Sequence, residues 1–212
     1  MKKLLSLSIS LAMLGSAASA LALSADAAHR IPPRQIIGKV SENGRGAIEW
    51  HSRQVGRAPV SRQNVAQAFT APAFESASLT GVALQIARGR NAVGPGAERA
   101  AVTVTLYASG NPGEVSKKDR LFSETTRLPR RLQGGDYLVF DFEKKIKLKK
   151  GKRYSVTFEF ESPRPAQSLL LAAGSQQSYT AGRAYLYSPD RKHKSFRWEA
   201  TRENLSLVLL GK

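Results

Sequence analysis

Seven of the ten residues from Lys144 to Arg153 are cations: Lys144, Lys145, Lys147, Lys149, Lys150, Lys152 and Arg153. Ile146 and Leu148 alternate with Lys145, Lys147 and Lys149. In an extended chain that alternation puts the three lysines on one exposed face, about 6.6 Å apart from one to the next. Such a row, continued by Lys150, can track the regularly spaced negative groups of a polymer. It can equally blunt a sheet edge, because lysines oppose edge-to-edge pairing. Both readings stand at this point.

A second cluster holds Arg191, Lys192, His193, Lys194 and Arg197, interleaved with Phe196 and Trp198. Cations among aromatic rings suit stacking on sugars or bases, with charge contacts to phosphate or sulfate. Trp198 is assigned to the core, and the basic residues before it to an exposed loop. The candidate ligand contacts are therefore Lys145, Lys147, Lys149, Lys150, Arg191, Lys192, Lys194 and Arg197.

Catalytic signals are weak. Of the histidines His29, His51 and His193, the last stands among cations. Neither G-x-S-x-G nor H-E-x-x-H occurs. Glu159 and Glu161 share a strand face at a separation compatible with two glycosidase carboxylates. Their strand carries no aromatic on that face to hold a sugar, so they read as a solvent-facing pair balancing nearby lysines. No catalytic residue is assigned. No loop has calcium-binding spacing, and no metal site or cofactor is assigned.

The first residues place these groups outside the cytoplasm. Lys2 and Lys3 precede an apolar run from Leu4 to Leu14, followed by small residues to Ala20. This is the order of a bacterial secretory signal. Ala18-Ser19-Ala20 and Ala25-Asp26-Ala27 both offer cleavage sites, so the leader is assigned to residues 1–28 with a cut after Ala20 to Ala28. The expected location is the periplasm or the medium. No later segment is long enough to cross a bilayer.

The chain carries +17. Such a charge attracts polyanions: anionic surface polysaccharide, anionic lipid headgroups, or nucleic acid as a non-specific polyanion. The chain has no cysteine, which excludes disulfides, thiol nucleophiles, zinc–thiolate and iron–sulfur sites, and a lipid anchor on cysteine.

The elements that hold these residues read as short strands. Residues 29–45 form an irregular lead-in, marked by Pro32-Pro33 and Asn43-Gly44. Residues 46–212 form one domain. Period-two alternation runs through Val82, Leu84 and Ile86; Val102, Val104 and Leu106; Leu138, Phe140 and Phe142; Tyr154, Val156, Phe158 and Phe160; and Leu205, Leu207 and Leu209. Leu169-Leu170-Leu171 reads as a strand covered on both faces. Turn signals separate the strands, and one helical turn is predicted between Gly113 and Asp119. The pattern predicts an all-β, antiparallel, jelly-roll-like sandwich.

The order of short signals also resembles a known group. Ala66-Gln67-Ala68-Phe69 is followed by Leu79-Thr80-Gly81-Val82, Val102-Thr103-Val104-Thr105-Leu106-Tyr107, and an Asn111-Pro112-Gly113 turn. Leu138 to Phe142 then leads to Ile146 through Val156, and later to Ala184-Tyr185, Ser188-Pro189-Asp190 and Trp198. The series is similar to the galactose-binding-like jelly-roll domains of bacterial exported and surface proteins, many called choice-of-anchor domains. The resemblance spans about residues 65–211 and implies a secreted recognition or structural module. The turn before Trp198 departs from it, being basic and lacking glycine. The absence of an anchor after Lys212 argues against covalent surface sorting.

The reading is an exported, non-catalytic binding module for anionic glycan or another cell-envelope polyanion. The alternatives are a structural or protein-interaction subunit of an envelope or extracellular assembly, favoured by a large exposed apolar patch, and a polysaccharide hydrolase, favoured by a cleft with facing carboxylates.

Overall fold

The structure is a computed structural model that describes residues 23–41, 46–53, 61–72, 77–162, 166–175, 180–189 and 196–212. Its strands are β1 (Leu23–Ala28), β2 (Ile36–Val40), β3 (Gly46–Arg53), β4 (Ser61–Thr70), β5 (Ser78–Gln85), β6 (Ala101–Tyr107) and β7 (Arg120–Arg127). They continue with β8 (Tyr137–Lys147), β9 (Arg153–Phe160), β10 (Gln167–Ser175), β11 (Ala184–Pro189), β12 (Phe196–Ala200), β13 (Glu203–Leu205) and β14 (Leu207–Gly211). The predicted helical turn is a single 3-10 turn at Lys117–Asp119.

Two antiparallel sheets pack face to face. One has the order β1-β8-β5-β14-β2. The other runs β13-β10-β3-β4-β9-β6-β7, and a β11–β12 hairpin adds to β4. The alternating residues read from the sequence meet between them. Val82, Leu84, Phe140, Val104, Val156 and Phe158 are fully buried, and Phe142 nearly so. Phe140 of the smaller sheet lies 5.4 Å from Phe158 of the larger. Trp50 stacks on Phe160 at 4.3 Å. Leu170 is only partly buried, unlike Leu169 and Leu171 beside it, so this run alternates instead of being covered equally on both faces, and coverage of both faces begins only at Leu171 to Ala173.

Residues 23–41 are more ordered than the sequence suggests. Leu23–Ala28 pairs with β8 from Phe142 to Tyr137, as one edge of the smaller sheet. Ile36–Val40 pairs with β14 at the other edge. The residues between cross the outer face of that sheet. Ile31 and Ile36 pack there against a cluster of Ala83, Val139, Val208 and Leu210. The prolines that suggested an irregular segment instead shape this crossing, with a 3-10 turn at Pro33–Gln35.

Candidate functional site

The lysine row holds its expected face. Lys145, Lys147 and Lys149 are exposed, while Ile146 and Leu148 are buried. The alternation breaks just before it. Leu79 sits opposite Ile146 and Gly81 opposite Asp141, so two steps along β5 match five along β8. The surplus forms a bulge that exposes Glu143, Lys144 and Lys145 in succession. Lys149 and Lys150 lie in the turn beyond β8, where Tyr154 Oη accepts the Lys149 N–H at 2.8 Å. Among the described residues, no carboxylate comes within ion-pairing distance of the row.

The second cluster is only partly in view. Arg191, Lys192, His193 and Lys194 lie outside the described residues. Arg197 falls on β12, opposite Ser188. β12 extends the larger sheet whereas the lysine row belongs to the smaller one, so Arg197 and the row sit on different sheets. Trp198 is not a core residue. It is half-exposed on the outer face of the larger sheet, beside Ala66, Ala68 and Tyr185.

That outer face holds a constellation the sequence does not reveal. Strand alternation sends Tyr154, Val156, Phe158 and Phe160 inward, so Ser155, Thr157, Glu159 and Glu161 point out. Register then lines up side chains from neighbouring strands. Trp198 of β12 is opposite Tyr187 of β11, and Tyr187 is opposite Asn64 of β4. Asn64 Nδ2 donates to Glu159 Oε2 at 3.4 Å. Glu159 is opposite Thr103 of β6, and Thr103 opposite Thr125 of β7. The result is one band across six strands: two aromatic rings, an amide, a carboxylate and two hydroxyls.

Each member is held by its neighbours. The Tyr187 and Trp198 rings lie 5.2 Å apart, tilted by 43°. Asn64 is fully buried, and its Oδ1 accepts the Phe160 N–H at 3.3 Å. The amide thereby caps β9 where β4 turns from β9 to β3. Thr157 Oγ1 donates to Glu159 at 3.4 Å, and Thr103 donates to Glu161. The Thr103 and Thr125 hydroxyls are 2.7 Å apart.

The electrostatics centre on Glu159. Burial pushes its carboxyl above the ordinary glutamate value, and Glu161 adds to the effect. Hydrogen bonds from Thr157 and Asn64 and the charge of Arg62 oppose it. Burial likewise raises the phenols of Tyr107 and Tyr187, and each also feels the Glu159 charge. The carboxylate therefore lies between two tyrosines on an otherwise hydroxyl-rich surface.

Beside the band the face closes. Ala66, Ala68 and Ser155 are fully buried although they point outward, and Thr157 nearly so. The segment between β6 and β7 reaches over them. Gly110 lies close to Arg153, Tyr185 Oη donates to the Gly110 carbonyl at 3.2 Å, and Gly113 lies close to Trp198. The outer face is thus a covered half beside a more open band.

Protein-family models and curated proteins yield no match to this sequence. Among solved structures, the cysteine protease and lectin-like domains of Cwp84, a surface-layer-associated protein of Clostridium difficile, match with 15% identity and a TM-score of 0.41 over 81% of this chain. Clostridial Cwp84 after propeptide cleavage matches with 15% identity and a TM-score of 0.43 over 81%. This chain spans 37% and 41% of those two chains, well under half of each.

Proposed function

We propose that this protein is an exported, non-catalytic module that binds anionic glycan along the outer face of its larger sheet. The observation that carries the reading is the band from Trp198 through Tyr187, Asn64 and Glu159 to Thr103. Aromatic faces take the apolar face of a sugar ring. The carboxylate and hydroxyls beside them can exchange hydrogen bonds with sugar hydroxyls, and the buried Asn64 amide holds the carboxylate from beneath. Acidic groups along the same polymer would meet Arg62 and Arg153 at the ends of this face. The resemblance to jelly-roll domains of exported and surface proteins agrees with a recognition module.

The cations serve capture in this account. The lysine row Lys145, Lys147, Lys149 and Lys150, with the basic segment Arg191 to Arg197, raises the local concentration of a polyanion and brings it to the surface. Charge contacts of this kind position a polymer without reading it, so selectivity falls to the band.

A binding role fits Glu159 and Glu161 better than hydrolysis. They project from one strand on the same face, whereas glycosidase carboxylates flank the scissile bond. Among the described residues the exposed large hydrophobic side chain is Leu121, which falls short of the apolar patch a packing subunit would present.

Export rests on Lys2, Lys3 and the apolar run to Leu14. Among the described residues, no helix is long and apolar enough to cross a membrane. Of the two cleavage sites, the one after Ala20 leaves β1 in the sheet, and a cut after Ala28 removes it. We assign the leader to residues 1–20 on that ground.

An array of neutral and anionic glycans, read at two salt concentrations, tests the function. The expected result is retention of particular anionic glycans at the higher salt. Binding that follows charge density alone and vanishes with salt would reduce the protein to a non-specific polycation.

A further inference from the structure

The opposite side of the molecule carries a second concavity. The residues between β1 and β2 cross the outer face of the smaller sheet, and beneath them lies a cavity of about 750 Å³. That is ample for a small organic molecule. Ile31 of the crossing segment and Val208 of β14 give it apolar walls. Three cations reach it from three separate places: Arg30 from the crossing segment, Lys39 from β2 and Arg88 from the turn after β5. No carboxylate is among the residues that line it. Asp136, next in sequence to the lining Gly135, is already engaged. It holds His29 Nδ1 at 2.6 Å and accepts the Gln133 N–H at 3.0 Å.

One polar group there has no partner within the fold. Ser206 lines the cavity, and its Oγ is buried without a hydrogen-bond partner among the described residues. A buried hydroxyl left unpaired is costly, so a ligand that supplies an acceptor would relieve it. Positive charge, apolar walls and a waiting donor together define a chemistry.

We propose that this cavity binds a small anion with an apolar body, such as an aryl or acyl phosphate or carboxylate. Arg30 and Arg88 take the anionic head, and Ile31 and Val208 take the body. The site lies on the sheet opposite to the glycan face and is independent of it. The crossing segment forms one wall, so occupancy would also fasten that segment onto the sheet.

Calorimetry with phenyl phosphate tests this. The wild type should show one saturable site, and inorganic phosphate and benzyl alcohol, each carrying half of the chemistry, should bind at least roughly tenfold more weakly. Arg30→Gln with Arg88→Gln should weaken phenyl phosphate by roughly tenfold or more. Both arginines are exposed, so thermal melting of this variant should stay near wild type. Lys117→Gln with Lys118→Gln removes the same charge at exposed positions elsewhere and should leave binding unchanged. An equal loss in both double variants would reduce the effect to net charge and overturn the site. So would the absence of saturable binding in the millimolar range, or equal affinity for phosphate alone.

Discussion

Glu159 shows how one residue changes meaning once its neighbours are known. On its own strand it is an outward glutamate among serine and threonine, with no ring to hold a sugar. In the fold the rings come from elsewhere: Tyr187 and Trp198 from a hairpin about thirty residues later in sequence, and Tyr107 from β6. Its burial has a measurable consequence. A folded-state value raised above the unfolded one means that the fold favours the protonated acid. The stability gained is fully present below the unfolded pKa and is lost as pH rises through the folded pKa. Glu159→Gln is uncharged throughout and keeps a carbonyl for Asn64. It should melt at a higher temperature than the wild type at neutral pH, and the gap should close in acid, below the glutamate range. Melting curves across that interval check the sign. A gap that does not change with pH would contradict the burial assigned here.

At the scale of elements, the strands themselves were legible and the pairings were not. Period-two alternation located β5, β6, β8, β9 and β14, because one face of each meets the same core. The β8 bulge escaped detection, since Phe142 to Lys147 gives no local sign that five residues match two on β5. Gly81 marks the spot. A Cβ there would lie 2.5 Å from the Phe140 carbonyl oxygen, so the backbones of β5 and β8 approach closer than any side chain allows. Gly81→Ala should destabilise the domain by about 1–3 kcal/mol through overpacking, read by chemical denaturation, and an unchanged midpoint would show that the strands part easily. The N-terminal pairings were hidden by the prolines and by a leader that shares small residues with β1. Leu23 is buried and pairs with Phe142, so intact-mass measurement of exported protein should find a mature chain that starts before Leu23. A start at His29 would mean that the sheet forms without this edge strand.

The whole molecule is a sandwich whose inner faces supply stability and whose outer faces are free for different work. Phe158 illustrates the division: it packs on Phe140 across the sheets and meets Trp50 edge-on at 6.2 Å. Phe158→Ala should cost about 3–5 kcal/mol, seen as a lowered denaturation midpoint. An unchanged midpoint would mean that the two sheets do not meet through this ring. The sequence made the inner faces plain, because burial follows from local alternation. The outer band was illegible because it depends on register among strands far apart in sequence, from Asn64 to Trp198. The basic clusters were conspicuous for the opposite reason, as charge is visible residue by residue. The account therefore separates capture by charge from recognition by the band, and one comparison tests that separation most directly. Tyr187→Ala and the variant Lys145→Gln, Lys147→Gln, Lys149→Gln are titrated with the glycan retained best by the wild type, at low and at higher salt. The prediction is that Tyr187→Ala loses affinity by about tenfold at both salts, while the lysine variant loses it chiefly at low salt, with a flatter salt slope. Wild-type affinity in Tyr187→Ala, with the entire loss in the lysine variant, would contradict the account.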